Sequence, residues 1–210
     1  MEIINGERLV LGTCYYPEHW DESLWRDDLK RMLENGIEVI RIAEFAWSKI
    51  ERYEGVFNYD FFDRFLDVAA DMGMKVIFCT PTATPPAWLT EKYPEVLNAN
   101  MDGVLYRHGG RRHYNYNSPK YQELTRIIVE KSASHYAKHP AIIGWQIDNE
   151  LNCEKNEFYS ESDTIAFRKF LMEKYGSIDA LNEAWGTNFW NQTYNLSLIH
   201  ISEPTRLLSI

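Results

Sequence analysis

Residues 8–20 read RLVLGTCYYPEHW, and the residues that close this stretch, after its apolar run, decide the fold. Arg8 to Tyr15 is short and apolar and predicts a strand. A dinucleotide-binding, doubly wound sheet would place a glycine-rich phosphate loop directly after such a first strand. Here Tyr15 to Trp20 reads YYPEHW, which brings aromatic rings, a carboxylate and an imidazole to that strand end instead.

Working outward, helix and strand signals alternate. Trp20 to Asn35 places Leu24, Trp25, Leu29, Met32 and Leu33 at helical spacing, with Asp21 as a cap and Gly36 as the stop. Ile37 to Ala43 predicts a second strand. Tyr59 to Met72 predicts a helix with Phe61, Phe62, Phe65, Leu66, Val68 and Ala69 on its apolar stripe, ended by Gly73. Met74 to Cys79 predicts a third strand, and Thr80 to Pro86 is too proline-rich to continue it. Tyr121 to Lys138 predicts a long helix, Ala141 to Ile147 a fourth strand, and Asp163 to Tyr175 and Ile178 to Trp185 two further helices.

Strand–helix repetition predicts a parallel α/β sheet covered by helices. Polar and aromatic residues gather just after each strand: Tyr16, Glu18 and His19; Glu44 and Trp47; Thr80 and Trp88; Asn149 and Glu150. That is where (β/α)8 barrels carry their chemistry, so a TIM barrel is expected. A full barrel takes about 250 residues. Four strands by residue 150 predict one truncated after about half. Residues 1–195 are read as the N-terminal part of its catalytic domain. The segment SLIHISEPTR resembles translated sequencing-adapter read-through, so residues 196–210 are expected to be non-native and to contribute nothing to the fold.

Composition narrows the function. The formal net charge is −9, from 22 Lys+Arg against 31 Asp+Glu, which argues against a nucleic-acid surface. Aromatic residues make up 14% of the chain, so rings are on hand both for cores and for stacking on sugars. Cys14, Cys79 and Cys153 form no CxxC pair, so no disulfide framework is expected, and Cys14 and Cys79 in their apolar runs are expected to be buried thiols. The N-terminus shows no signal-peptide pattern, and no run approaches the ~18 apolar residues of a membrane span. A cytoplasmic protein with no membrane partner is expected.

The stretch GWQIDNE, residues 144–150, ends an apolar strand in Asn149-Glu150. Glycoside hydrolysis needs a carboxylic acid at the leaving oxygen and a second carboxylate below the ring, and an amide beside the acid can hold the sugar 2-hydroxyl. Glu150 is the candidate acid and Asn149 the candidate 2-hydroxyl contact. Taken alone, most Asn-Glu dipeptides are surface turns; it is the place after such a strand in a repeating β/α chain that favours function here.

These residues belong to a longer pattern. GTCYYPEHW (12–20), RIAEFAW (41–47), PTATPPAWL (81–89), RRHYNYNSP (111–119), GWQIDNE (144–150) and FRKFLMEKYGSIDALNEAWGTNFW (167–190) occur in order. Together, over residues 7 to 195, the chain resembles the β-galactosidases of glycoside hydrolase family 42. The resemblance implies a (β/α)8 barrel and a retaining enzyme that cleaves terminal β-D-galactose from galactosides. It implies Glu150 as proton donor, with Asn149, Arg111, Arg41 and Trp190 contacting the sugar. From the residues alone, Arg111 could be a solvated loop arginine, Arg41 could pair with Glu44, and Trp190 could be core or a subunit contact. Glu18 and His19 receive no role.

The resemblance also implies a homo-oligomer, a trimer, for the full-length protein, and no organic cofactor. Many members carry a four-cysteine zinc site, but here Asn115 stands at its first position and the stretch after Glu150 holds only Cys153, so no zinc is expected. The family's nucleophilic glutamate is expected beyond residue 195, which would leave this chain inactive alone. An α-L-arabinopyranosidase-like enzyme and an inactive carbohydrate-binding half-barrel are the alternative readings.

Overall fold

A computed structural model describes residues 9–151, 153 and 157–194. The elements in chain order are β1 (Leu11–Cys14), α1 (Trp25–Glu34), β2 (Ile37–Ile42), α2 (Trp47–Ile50), β3 (Glu51–Tyr53), β4 (Val56–Phe57), α3 (Asp60–Asp71), β5 (Lys75–Cys79), α4 (Ala87–Lys92), α5 (Pro119–Tyr136), β6 (Ile142–Gln146), α6 (Glu161–Tyr175) and α7 (Ile178–Trp185). The described residues divide into two compact units, one of residues up to 93 with those from 123 to 153, the other of residues 94–122 with 157–194.

The first unit is built on a four-stranded sheet in the order β1-β2-β5-β6. Each pair is parallel, with Cys14 opposite Arg41, Ile42 opposite Phe78, and Cys79 opposite Gln146. The four expected strands are therefore adjacent and run the same way. Their order follows the chain without reversal. A doubly wound sheet reverses its order at a switch point, whereas a barrel adds each strand beside the last.

One face of the sheet takes the helices. Ile40, Ile42, Val76 and Phe78 are fully buried there. The Phe78 ring lies 5.6 Å from that of Phe62 on α3 and 4.8 Å from that of Tyr136 on α5. Trp25 of α1 meets Phe61 and Phe65 edge-on, both at 5.2 Å. Asp21 does cap the entry, accepting the Ser23 N–H at 2.9 Å, but the first turn it caps is 3-10. Gly36 leaves α1 at φ 78°, in the left-handed region where glycine carries no Cβ penalty.

The expectation for Cys14 fails: it is exposed, while Cys79 is buried as expected. An apolar run is covered only where a layer lies over each face. β1 is an end strand of the described sheet, and all four of its residues are exposed.

Between β2 and α3 lies a hairpin that hydrophobic periodicity does not reveal, β3 against β4. Its organising group is a buried carboxylate. Glu51 accepts the Trp47 indole N–H and the Gly55 N–H, both at 2.7 Å. Burial pushes the Glu51 carboxyl up, although these two donors favour its charge. Trp47 is fully buried, and Trp88 donates to the Glu51 carbonyl at 3.0 Å. Both tryptophans, expected at the strand-end cluster, are thus tied into this hairpin.

In the second unit, α6 starts with a capping box of Ser160 and Asp163, and α7 with Ser177 accepting the Ala180 N–H. Leu171 and Leu181 form their shared core, with Phe167, Tyr175, Ile178, Trp185 and Tyr194 packed on it. Among the described residues no helix is long and apolar enough to cross a membrane. The 196–210 tail lies outside the described residues.

Candidate active site

The face of the sheet opposite the helices turns polar at its C-terminal rim. Arg41, next to last in β2, is the hub. Its Nη2 donates to Glu44 Oε1 at 2.8 Å and to Cys14 Sγ at 3.0 Å, and its Nη1 donates to Gln146 Oε1 at 2.7 Å. Glu44 is fully buried, and its Oε1 also accepts the Tyr16 hydroxyl at 2.9 Å. Burial, then the Glu44 hydrogen bond, pushes the Tyr16 hydroxyl up to about 12. Burial, the largest single influence, opposes the Arg41 charge, but Glu44, Cys14 and Cys79 together outweigh it and the guanidinium is held above its ordinary range. The Arg41–Glu44 pair weighed from sequence is therefore present. It does not remove Arg41 from the rim, because 29% of its side chain remains exposed.

The turn after β6 carries the candidate acid. Gln146 Nε2 donates to the Asp148 carbonyl at 2.8 Å and to Asn149 Oδ1 at 3.2 Å. The Asp148 N–H donates to Thr80 Oγ1 at 2.7 Å, and Asp148 Oδ2 accepts the Thr82 hydroxyl at 2.8 Å. The Asn149 N–H donates to Asp148 Oδ1 at 2.6 Å. Asn149 is buried and Glu150 is exposed. Asp148 and Glu150 both take positive φ, 54° and 46°, as does Ala43 at the end of β2, 74°. Side chains with a Cβ rarely sit there, and such residues concentrate where function fixes the geometry.

Three of these residues, Gln146, Asp148 and Thr82, escaped the sequence reading, and Thr80 entered it only as a member of the strand-end cluster. Gln146, Asp148, Thr80 and Thr82 together orient the Asn149-Glu150 turn. A glutamine in the otherwise apolar run AIIGWQI was the available signal, since a buried amide must find partners.

Glu18 and His19 lie in the 3-10 turn after β1. His19 stacks on Tyr16 at 5.4 Å, and Tyr16 on Phe45 at 6.0 Å. Burial raises the Glu18 carboxyl, and its Oε2 has no partner among the described residues.

Arg111 and Trp190 belong to the second unit. Arg111 is exposed on a loop, and Trp190 lies in the 3-10 turn Phe189–Asn191. Beside Arg111, Arg112 is buried at φ 57° and donates from Nη1 to the Tyr114 hydroxyl at 2.7 Å and to the Tyr116 hydroxyl.

Asn115, at the first position of the zinc site that the resemblance would imply, lies in the second unit. Asn115 is fully buried, and its Nδ2 donates to Ser160 Oγ, to Ser162 Oγ at 2.9 Å and to Asp163 Oδ2 at 2.7 Å. Its Oδ1 accepts the Asn117 N–H at 2.7 Å. An amide nitrogen has no lone pair to give a metal, and hydroxyls with one carboxylate are not the thiolate set of a structural zinc. These residues do not fit that site; they form a hydrogen-bonded tie in its place.

A parallel sheet in chain order with a polar C-terminal rim is the pattern of part of a (β/α)8 barrel. The family model described as β-galactosidase, glycoside hydrolase family 42, matches residues 14–207, and the chain belongs to that family. β-Galactosidase Bga of Halorubrum lacusprofundi is 44% identical over 185 residues, covering 88% of this chain and 26% of its own. β-Galactosidase BgaA of a Thermus species is 46% identical over 186 residues, covering 88% of this chain and 29% of its own. The crystal structure of β-galactosidase from the psychrophilic Marinomonas ef1 superposes with a TM-score of 0.89 at 44% identity, over 93% of this chain and 30% of that one. The catalytic domain of β-amylase from Paenibacillus polymyxa, at 18% identity and TM-score 0.62 over 93% of this chain and 53% of that one, shares the fold alone. The chain thus spans little more than a quarter of the length of these curated relatives.

Proposed function

We propose that this chain supplies the acid/base side of a retaining β-galactosidase acting on terminal β-D-galactosides, with Glu150 as the acid/base. The observation that carries the reading is the turn after β6. There an exposed carboxyl stands next to a buried amide, Asn149, whose Oδ1 is held by Gln146, itself bound to Arg41. Family membership supports the substrate class.

In the first step a carboxylate below the ring attacks C1. Glu150 gives its proton to the glycosidic oxygen as the C1–O bond breaks, and the alcohol leaves. In the second step Glu150, now a carboxylate, takes a proton from water as the water oxygen displaces the enzyme carboxylate at C1. The attacking carboxylate is expected on a later strand of the full barrel. Asn149 and Arg41 would bind the galactose from the rim. Arg111 and Trp190, by resemblance, would add further sugar contacts.

The test is Glu150→Gln in the full-length enzyme. Turnover of galactosides with poor leaving groups should fall sharply, while activated aryl galactosides, whose leaving group needs little protonation, should lose much less. Equal losses on both substrates would overturn the assignment.

A further inference from the structure

We propose that Gln146 is a positioning residue that sets which end of the Asn149 amide faces the sugar, taking its own orientation from the charge on Arg41. The proposal rests on the reading of Asn149 as a contact to the galactose 2-hydroxyl.

Side-chain amides have two ends of nearly equal size, and a partner of fixed character is needed to decide between them. Arg41 is such a partner, because a guanidinium can only donate. At 2.7 Å from Arg41 Nη1, the Gln146 group must be the carbonyl oxygen. Its NH2 therefore points the other way, to the Asp148 carbonyl at 2.8 Å and to Asn149 at 3.2 Å. An NH2 only donates, so the Asn149 atom facing it must be Oδ1. The donor end of Asn149, Nδ2, is then the end turned away from Gln146. One charge on β2 thus fixes two successive amides on and after β6, across 105 residues of sequence to the first of them.

The same NH2 also holds the Asp148 carbonyl, in a turn where Asp148 and Glu150 both have positive φ. Any effect of that contact on the turn is shared by substrates with and without a 2-hydroxyl, so it cancels in the ratio between them. On this account the 2-hydroxyl oxygen accepts from Asn149, and a wrongly turned amide would oppose its oxygen to the sugar oxygen.

The test uses the full-length enzyme, the variants Gln146→Glu and Asn149→Ala, and two aryl substrates, the β-galactoside and its 2-deoxy analogue. Gln146→Glu keeps the acceptor for Arg41 but, when ionised, has no donor for Asn149. Its kcat/KM on the galactoside should fall roughly 100-fold, the scale of a lost transition-state contact to the 2-hydroxyl. On the 2-deoxy substrate it should fall much less, because there is no such contact to lose. The galactoside loss should shrink as pH is lowered and the introduced carboxyl regains a proton. The ratio between substrates is independent of how much enzyme is folded, and Gln146→Met, of similar length without a donor, gives the same ratio test if Gln146→Glu does not fold. Equal losses on both substrates from Gln146→Glu, with Asn149→Ala still discriminating between them, would overturn the role of Gln146 and leave that of Asn149 standing. Failure of Asn149→Ala itself to discriminate would overturn the Asn149 contact and the proposal with it.

Discussion

Truncating Glu44 tests whether the rim is held by a buried ion pair. Glu44 has no exposed side-chain surface, and its Oε1 takes both the Arg41 guanidinium and the Tyr16 hydroxyl. Removing one member of a fully buried pair costs about 3–5 kcal/mol, because the other charge is left stranded. Arg41 keeps 29% exposure and its bond to Gln146, so water and that oxygen relieve part of the cost. The Tyr16 hydroxyl loses its acceptor, which adds about 1 kcal/mol. Glu44→Ala should therefore destabilise the protein by about 3 kcal/mol. Glu44→Gln keeps an acceptor oxygen for both donors and should cost about 1 kcal/mol, the difference between a charged and a neutral hydrogen bond. Urea unfolding followed by tryptophan fluorescence measures both. Alkaline absorbance titration adds a second reading: in Glu44→Gln the Tyr16 hydroxyl should ionise below about 12, since one of the causes that raise it is gone. If Glu44→Ala unfolds within ~0.5 kcal/mol of the parent, the ordinary range for a surface change, the buried-pair reasoning is wrong.

Two further expectations rest on individual groups. Glu18, raised by burial, binds its proton more tightly folded than unfolded, so its contribution is complete below the ordinary carboxylate range and is lost as pH rises through the folded value. Glu18→Gln should then be more stable than the parent at about pH 7 and no more stable at about pH 3.5, as unfolding at the two pH values would reveal; equal differences at both would contradict it. The Asn115 tie needs no metal, so a chelator should leave the thermal midpoint unchanged, whereas Asn115→Ala, stranding buried acceptors and the Asn117 N–H, should cost about 2–3 kcal/mol. A midpoint that drops on chelation and returns with zinc would refute that.

The fold was legible because its period signals were strong. The strands 37–43, 74–79 and 141–147 are apolar and flanked by Gly36, Gly73 and a proline, and each appears within a residue of its expected limits. Residues that pack against nothing regular were harder to read. The β3–β4 hairpin is organised by buried Glu51, and a charged residue carries no apolar period. Cys14 sits in an apolar run, yet exposure depends on which layers cover a strand, a tertiary property absent from composition. At the site, the Asn149-Glu150 dipeptide was visible through its place after a strand. Its supports were not. Thr80 and Thr82 lie 66 or more residues from Asp148, and only sheet pairing brings β5 beside β6.

The polar rim and the backbone strain explain one another. A non-glycine residue in the left-handed region costs about 1–2 kcal/mol. Ala43, Asp148 and Glu150 all carry that cost, at the ends of β2 and β6 where side chains must leave the strand direction. Glycine at 148 would relieve the backbone, yet it would also delete the carboxylate that accepts from the Thr82 hydroxyl and the Asn149 N–H. With hydrogen bonds worth about 1 kcal/mol each, the contacts of Asp148 to Thr80, Thr82, Gln146 and Asn149 more than offset one strained residue. A buried polar cluster is otherwise a poor route to stability, since well-packed apolar side chains of the same volume do as well. What apolar packing cannot do is choose the end of an amide or hold a carboxyl at a left-handed turn. The cluster of Arg41, Glu44, Gln146 and Asp148 is therefore better accounted for by the orientation of Asn149 and Glu150 than by the stability of the sheet.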